Sequence, residues 1–136
     1  HNPGQLVGYP IFDVAQHGRD LHKFLRDLEQ AIIDALRAFG VEAHREAGYT
    51  GVWVGDAKIA AIGIKVTKWV SMHGFALNVN NDLRLFQTIV PCGIADRPVT
   101  SLQQALGRVV PMEQVKHEIA RAFVQVFGFR FGDEGA

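Results

Sequence analysis

Lys58-Ile59-Ala60-Ala61-Ile62-Gly63-Ile64-Lys65-Val66 is the stretch on which the fold turns. It reads as one long strand. A tight turn, Gly55-Asp56-Ala57, precedes it, and residues 67–70 turn the chain back. The return run, Ser71-Met72-His73-Gly74-Phe75-Ala76-Leu77-Asn78-Val79, reads as a second strand. Consecutive strands joined by short turns build a mostly antiparallel or mixed sheet. Ala60, Ala61 and Gly63 are small, so something can lie close against the first strand. Tight packing of a helix on the sheet would use the same small residues, and periodicity alone does not separate the two uses.

Outward from this pair, residues 50–54, 41–44 and 6–12 read as further strands. The last is interrupted by Gly8 and Pro10 and suits an edge. Leu21, Phe24, Leu25, Leu28, Ile32, Ala35, Leu36 and Phe39 recur at three- and four-residue spacing. That apolar stripe predicts a helix over 20–39, with Asp20 as N-cap and Gly40 just past its end. Val115, Ile119, Ala122, Phe123, Val126 and Phe127 predict a second long helix over 112–127, ended by Gly128. Short helical pieces are expected at 83–86 and at 102–106, the latter capped by Thr100 or Ser101. The expected class is α+β (mixed α/β), one domain over residues 1–136, its sheet covered by two long helices.

Composition narrows the function. Fourteen basic residues balance fourteen acidic ones, which argues against a nucleic-acid partner. No apolar run approaches the roughly 20 residues that cross a bilayer, and no signal-peptide pattern is visible, so no membrane role is expected. One cysteine forms no internal disulfide and suits a reducing, cytoplasmic setting. The histidines show no HxxxH or HExxH spacing, and Walker and GxSxG motifs are absent, so neither metal nor cofactor is expected. The chain opens at His1 without methionine, which leads us to expect that an N-terminal portion is missing.

Cys92 lies in Ile89-Val90-Pro91-Cys92-Gly93-Ile94, between a residue that fixes φ and one that frees it. Such a bend can present sulfur to a cleft. A lone cysteine in apolar surroundings also serves as a small core hydrophobe. Lys58 and His73 favour the first reading. A nearby cation or imidazole lowers a thiol pKa, and a lysine beside a thiolate suits acyl transfer. Backbone N–H groups near Gly93 are candidates to hold an oxyanion. Arg19, Lys23 and Arg26 fit a solvated helix face or a patch that docks an acidic carrier.

Four stretches together resemble the lipoyl(octanoyl) transferase family, of the lipoate-protein ligase B type. They are His1-Asn2-Pro3-Gly4-Gln5-Leu6-Val7, Lys58-Ile59-Ala60-Ala61-Ile62-Gly63, His73-Gly74-Phe75-Ala76-Leu77-Asn78 and Pro91-Cys92-Gly93-Ile94. Val99-Thr100-Ser101-Leu102 is similar too. The chain departs from the family in lacking an Arg-Gly-Gly segment before the first motif and in carrying Asn2 where glycine is usual. The resemblance implies the fold of the biotin and lipoate ligase catalytic core. It implies an octanoyl-[acyl-carrier-protein]-protein N-octanoyltransferase of lipoate biosynthesis. The octanoyl (or lipoyl) group would pass from acyl carrier protein, through a thioester on Cys92, to a lysine of lipoyl domains. Those acceptors are in the 2-oxoacid dehydrogenases and the glycine cleavage H protein. Lys58 would lower the thiol pKa and act as base. His1, Ala61, Ile62, Gly63, His73, Gly74, Phe75 and Ala76 would bind the acyl group. An apolar slot suits that substrate, at ~0.8 kcal/mol per buried CH₂. Two alternatives stand beside this: a non-catalytic fragment that binds an acyl group or carrier protein, and an ATP-dependent ligase on the same fold.

Overall fold

The computed structural model describes residues 3–8, 21–67, 70–83 and 97–128, with the backbone alone at 21, 64–67 and 70–73. Four strands form one antiparallel sheet: β1 (Gln5–Gly8), β2 (Val52–Val54), β3 (Ala57–Thr67) and β4 (Val70–Asn78), in the order β1-β4-β3-β2. The long pair expected at its centre is there. β3 and β4 run in register from Ala60 opposite Leu77 to Thr67 opposite Val70.

Helices α1 (Leu21–Arg37), α2 (Leu102–Leu106) and α3 (Met112–Phe127) complete the chain. The stripe read from the sequence is the buried face of α1: Phe24, Leu28, Ile32, Ala35 and Leu36 are all at most 2% exposed. α3 buries Val115, Ile119, Ala122 and Phe123 against the same core. The two long helices pack on each other and cover one face of the sheet, which offers Val52, Ala60, Phe75 and Leu77. Phe75 stacks on Phe123 at 5.7 Å, and Phe123 stacks on Phe127 at 5.4 Å. α2 begins at Ser101, whose hydroxyl accepts from the Gln104 N–H at 3.1 Å, and ends at Gly107 in the left-handed region. The architecture is mixed α/β with an antiparallel sheet, as expected.

Several boundaries differ from the sequence reading. α1 stops at Arg37, and residues 38–40 form a turn closed by Gly40 at φ 80°. Residues 41–44 are not a strand. Only His44 bridges to Trp53, because the next two side chains leave in other directions: Arg45 to Glu29 and Gln30 of α1, Glu46 to Arg97. The first strand spans Gln5–Gly8 rather than 6–12, and residues 9–12 lie outside the described residues. So do Asp20, Arg19, most of the short helix expected at 83–86, and the whole bend at 89–94.

β4 ends in a knot of amides that fixes the termini of several elements. Asn78 is 6% exposed. Its Oδ1 accepts from Gln5 at 2.9 Å and Asn81 at 3.1 Å, and its Nδ2 donates to the Thr100 carbonyl at 3.1 Å. Asn80 acts as a short stretch of strand, exchanging bonds with both backbone groups of Val110 at 2.7 and 2.9 Å. Gly4 is held at φ 84° beside this knot, where a Cβ would come within 2.8 Å of the Asn81 backbone nitrogen.

Candidate functional site

Lys58 sits at the start of β3, where the pairing with β2 slips. Val52 faces Ala60, but Trp53 faces Lys58, so two residues of β2 oppose three of β3. The extra residue is a β-bulge. Its consequence is directional. Ile59 and Ala60 are neighbours in sequence, yet both belong to the core on the helix side, which strict alternation forbids. Counting back from Ala60 without the bulge would turn Lys58 into the core. The bulge returns it to the other face, the face of its partner Trp53.

That face carries small residues. The register sets Ala61 opposite Ala76 and Gly63 opposite Gly74. Ala61 and Gly63 are exposed, and a Cβ built on Gly63 meets nothing within 4 Å. The result is a low floor running along β3 and β4 away from Lys58. Ile62 and Phe75 alternate to the opposite side. Phe75 is 3% exposed and packs on Phe123, and Ile62 packs on the core, so the floor sees only their backbone. Of the residues expected to bind an acyl group, the structure thus brings Ala61, Gly63, Gly74 and Ala76 together on one face. His73 stands in β4 opposite Ile64, described by its backbone alone. His1 and Cys92 lie outside the described residues.

Lys58 is held at its backbone and at its amine. Beyond the end of β4, a returning segment takes the vacated edge of β3. Lys58 N–H donates to the Pro98 carbonyl at 2.9 Å, and its carbonyl accepts from Thr100 at 2.8 Å. Lys58 thus lies beside Val99, seven positions after Cys92. Its side chain passes over Gly51, where a Cβ would stand 2.8 Å from Lys58 Cε and 3.0 Å from the Ala60 carbonyl oxygen. Its Nζ lies 5.4 Å from the centroid of the Trp53 ring. Burial lowers the Lys58 pKa below the ordinary lysine value, because a half-buried ammonium is poorly hydrated. A less basic amine exchanges a proton more readily near neutral pH.

Trp53 is fully buried and takes a second cation, with the Arg97 guanidinium carbon 5.8 Å from the ring centroid. Arg97 also donates to Glu46 at 3.0 Å, and Glu46 meets His44 Nε2 at 2.7 Å. The Arg97 bond, and then the His44 bond, hold the Glu46 carboxyl below its ordinary range. His44 therefore belongs to this cluster. Gly51, Trp53 and Arg97 escape a reading of the sequence, because what joins them is a strand pairing, a bulge and a return at position 97. A cavity of about 640 Å³ opens elsewhere, among Asn80, Asn81, Ser101, Gln103 and Gln104. It contains none of the floor residues.

The model of the lipoyl protein ligase A/B catalytic domain matches residues 1–124. The chain belongs to that family. Within it, the chain is 59% identical over 128 residues to an octanoyltransferase of Gloeobacter violaceus, covering 94% of this chain and 57% of that protein. It is 53% identical over 123 residues to the octanoyltransferase of Geobacter metallireducens, covering 90% of this chain and 58% of that one. The chain thus spans somewhat over half the length of these curated relatives. Solved structures of the same ligase fold superpose on it. Lipoate-protein ligase A bound with ATP aligns with a TM-score of 0.67 at 18% identity, over 83% of this chain and 49% of that one. The biotin protein ligase of Aquifex aeolicus aligns with 0.70 at 15% identity, over 92% of this chain and 53% of that one. The ligase-core fold implied by the sequence motifs is borne out by these neighbours.

Proposed function

We propose that the protein is an octanoyltransferase of lipoate biosynthesis. It takes an octanoyl (or lipoyl) group from acyl carrier protein and gives it to a lysine of the lipoyl domains of 2-oxoacid dehydrogenases or of the glycine cleavage H protein. The name shared by its relatives supports the reaction class. The observation that carries it is the Lys58 amine, half-buried and less basic than usual, at the head of a floor of Ala61, Gly63, Gly74 and Ala76.

The chemistry divides into two balanced steps. The Cys92 thiolate attacks the octanoyl thioester of the carrier. A new S–C bond forms, the carrier's sulfur leaves, and Lys58 as ammonium supplies its proton. The acceptor lysine then attacks the Cys92 thioester. Its nitrogen gives up a proton to neutral Lys58, and the Cys92 thiolate is released. A lysine whose pKa is drawn toward neutrality serves both directions. The alkyl chain lies on the small-residue floor, with the backbone of Ile62 and Phe75 alongside, and His1 and His73 take part in substrate binding. The reaction belongs in the cytoplasm, where a lone thiol stays reduced. No helix among the described residues is long and apolar enough to cross a membrane.

The test is intact-mass measurement after incubation with octanoyl carrier protein, followed by addition of a lipoyl domain without ATP. The expected result is one octanoyl adduct, absent in Cys92→Ser, that moves to the lipoyl domain. An adduct persisting in Cys92→Ser removes the thiol from the mechanism. Transfer that requires ATP assigns the protein to the ligases instead.

A further inference from the structure

We propose that Trp53 is a positioning residue for the Lys58 amine, its indole face acting as the platform on which the ammonium rests. The inference deepens the transferase reading and rests on it for its activity measurements only.

Trp53 stands apart from the main core cluster. It is fully buried, yet it lies outside the cluster that the helices build with Val52, Ile59 and Ala60. Polar and charged side chains border it. Tyr49 meets it edge-on at 6.3 Å, Lys58 and Arg97 approach the ring, and Gly51 leaves the gap through which Lys58 passes. The backbone that carries the ring is anchored, because both backbone groups of Trp53 bond to His44 at 2.9 Å. Arg97 is held as well, by Glu46 at 3.0 Å and by the Asp56 carbonyl at 3.4 Å. Lys58 is different. Among the described residues no carboxylate lies within ion-pairing distance of its amine: Glu46 is engaged by Arg97 and His44, and Glu29 by Arg45 and the Gly51 N–H. Among the described residues, the ring face is the attractive contact recorded for its ammonium.

The choice of ring points the same way. Trp53 Nε1 is buried without a hydrogen-bond partner among the described residues. Phenylalanine would fill much of the same space without an orphaned donor, whereas the indole face attracts a cation more strongly than a phenyl. Tryptophan here gains hold on Lys58 while its Nε1 has no partner among the described residues.

The experiment uses the full-length protein with Trp53→Phe and Trp53→Leu. Competitive labelling of lysines by acetic anhydride across pH, read peptide by peptide, follows the titration of Lys58 whether or not the protein is active. In folded Trp53→Phe, Lys58 should titrate roughly half a pH unit lower because the weaker face favours its charged form less. Transfer should fall in kcat with KM nearly unchanged, by about tenfold or more in Trp53→Leu, and the pH profile of kcat should move with the labelling curve. A Lys58 labelling curve superimposable on wild type in folded Trp53→Phe and Trp53→Leu overturns the proposal. Lys58→Ala tests the transferase reading separately: if it transfers normally while the Trp53 variants still shift Lys58, the platform stands and the mechanism falls.

Discussion

Lys58 is costly to the fold, and that cost is measurable. Burial lowers its pKa, so the folded chain holds this proton less tightly than the unfolded chain, where the value is near 10.5. Between the lowered value and 10.5 the unfolded state binds more protons, and stability from this group rises with pH. Below that window both states are charged and the burial penalty is complete. Lys58→Met is therefore expected to raise the melting temperature at neutral pH, with the gain shrinking toward about pH 10; paired thermal melts at the two values check it. The same residue separates charge from proton transfer. Lys58→Ala should fold and lose transfer by about a hundredfold or more, as expected when a general base is removed. Lys58→Arg keeps the charge but does not release its proton, so it should be nearly as poor. Wild-type turnover in Lys58→Arg, measured on purified lipoyl domain, rules out the base.

The strand pair β2–β3 shows what an element adds to its residues. Lys58 was visible in the sequence as the head of a long strand, but its direction was not. Alternation counted from Ala60 points it inward, and only the slip of pairing at Val52 and Trp53 turns it outward. A bulge is a relation between two strands, so one strand's sequence does not display it. Ile62 and Phe75 show a related effect. They belong to motifs with small neighbours, but period-two alternation sends their side chains into the core. What was legible was local and periodic: the stripes of α1 and α3, the Ser101 cap, the Gly107 and Gly128 stops, and the β3–β4 return. Gly51 tests this element. Its φ is 147°, and an added Cβ would crowd both the Lys58 stem and the Ala60 carbonyl. The stem can swing away, but the carbonyl is fixed by the strand. Gly51→Ala is expected to destabilise by about 1–3 kcal/mol, with Lys58 displaced from the Trp53 ring. Loss of turnover on the order of a hundredfold, beyond any loss of folded protein, is the expected reading. Unchanged turnover would show that the route over Gly51 is dispensable.

Among the described residues, one sheet face packs against the helices and the other carries the proposed site, and the amides at the end of β4 tie the two together. The helix-covered face holds the aromatic core of Phe75, Phe123 and Phe127. The other holds Lys58, the fully buried Trp53 and the floor of small residues. Net charge is zero, and Lys23 on α1 is paired with Asp27 at 2.9 Å, so that helix face reads as solvated rather than as a strong docking field. Asn78 joins parts that the sequence separates widely. Its side chain bonds Gln5 at the start of β1, Asn81 just past β4, and Thr100, whose N–H bonds the Lys58 carbonyl. Replacing it with alanine strands a buried carbonyl and two amide donors at once. The expected loss is about 2 kcal/mol, or near 8 °C in melting temperature for a domain of this size. Because the network also borders the segment beside Lys58, Asn78→Ala should lower kcat even at temperatures where the protein remains folded. Thermal melts and turnover measured well below the transition separate the two effects. A variant that melts early yet turns over at the wild-type rate would confine Asn78 to holding the fold, and would leave the alignment of Lys58 to Gly51, Trp53 and the bonds from residues 98 and 100.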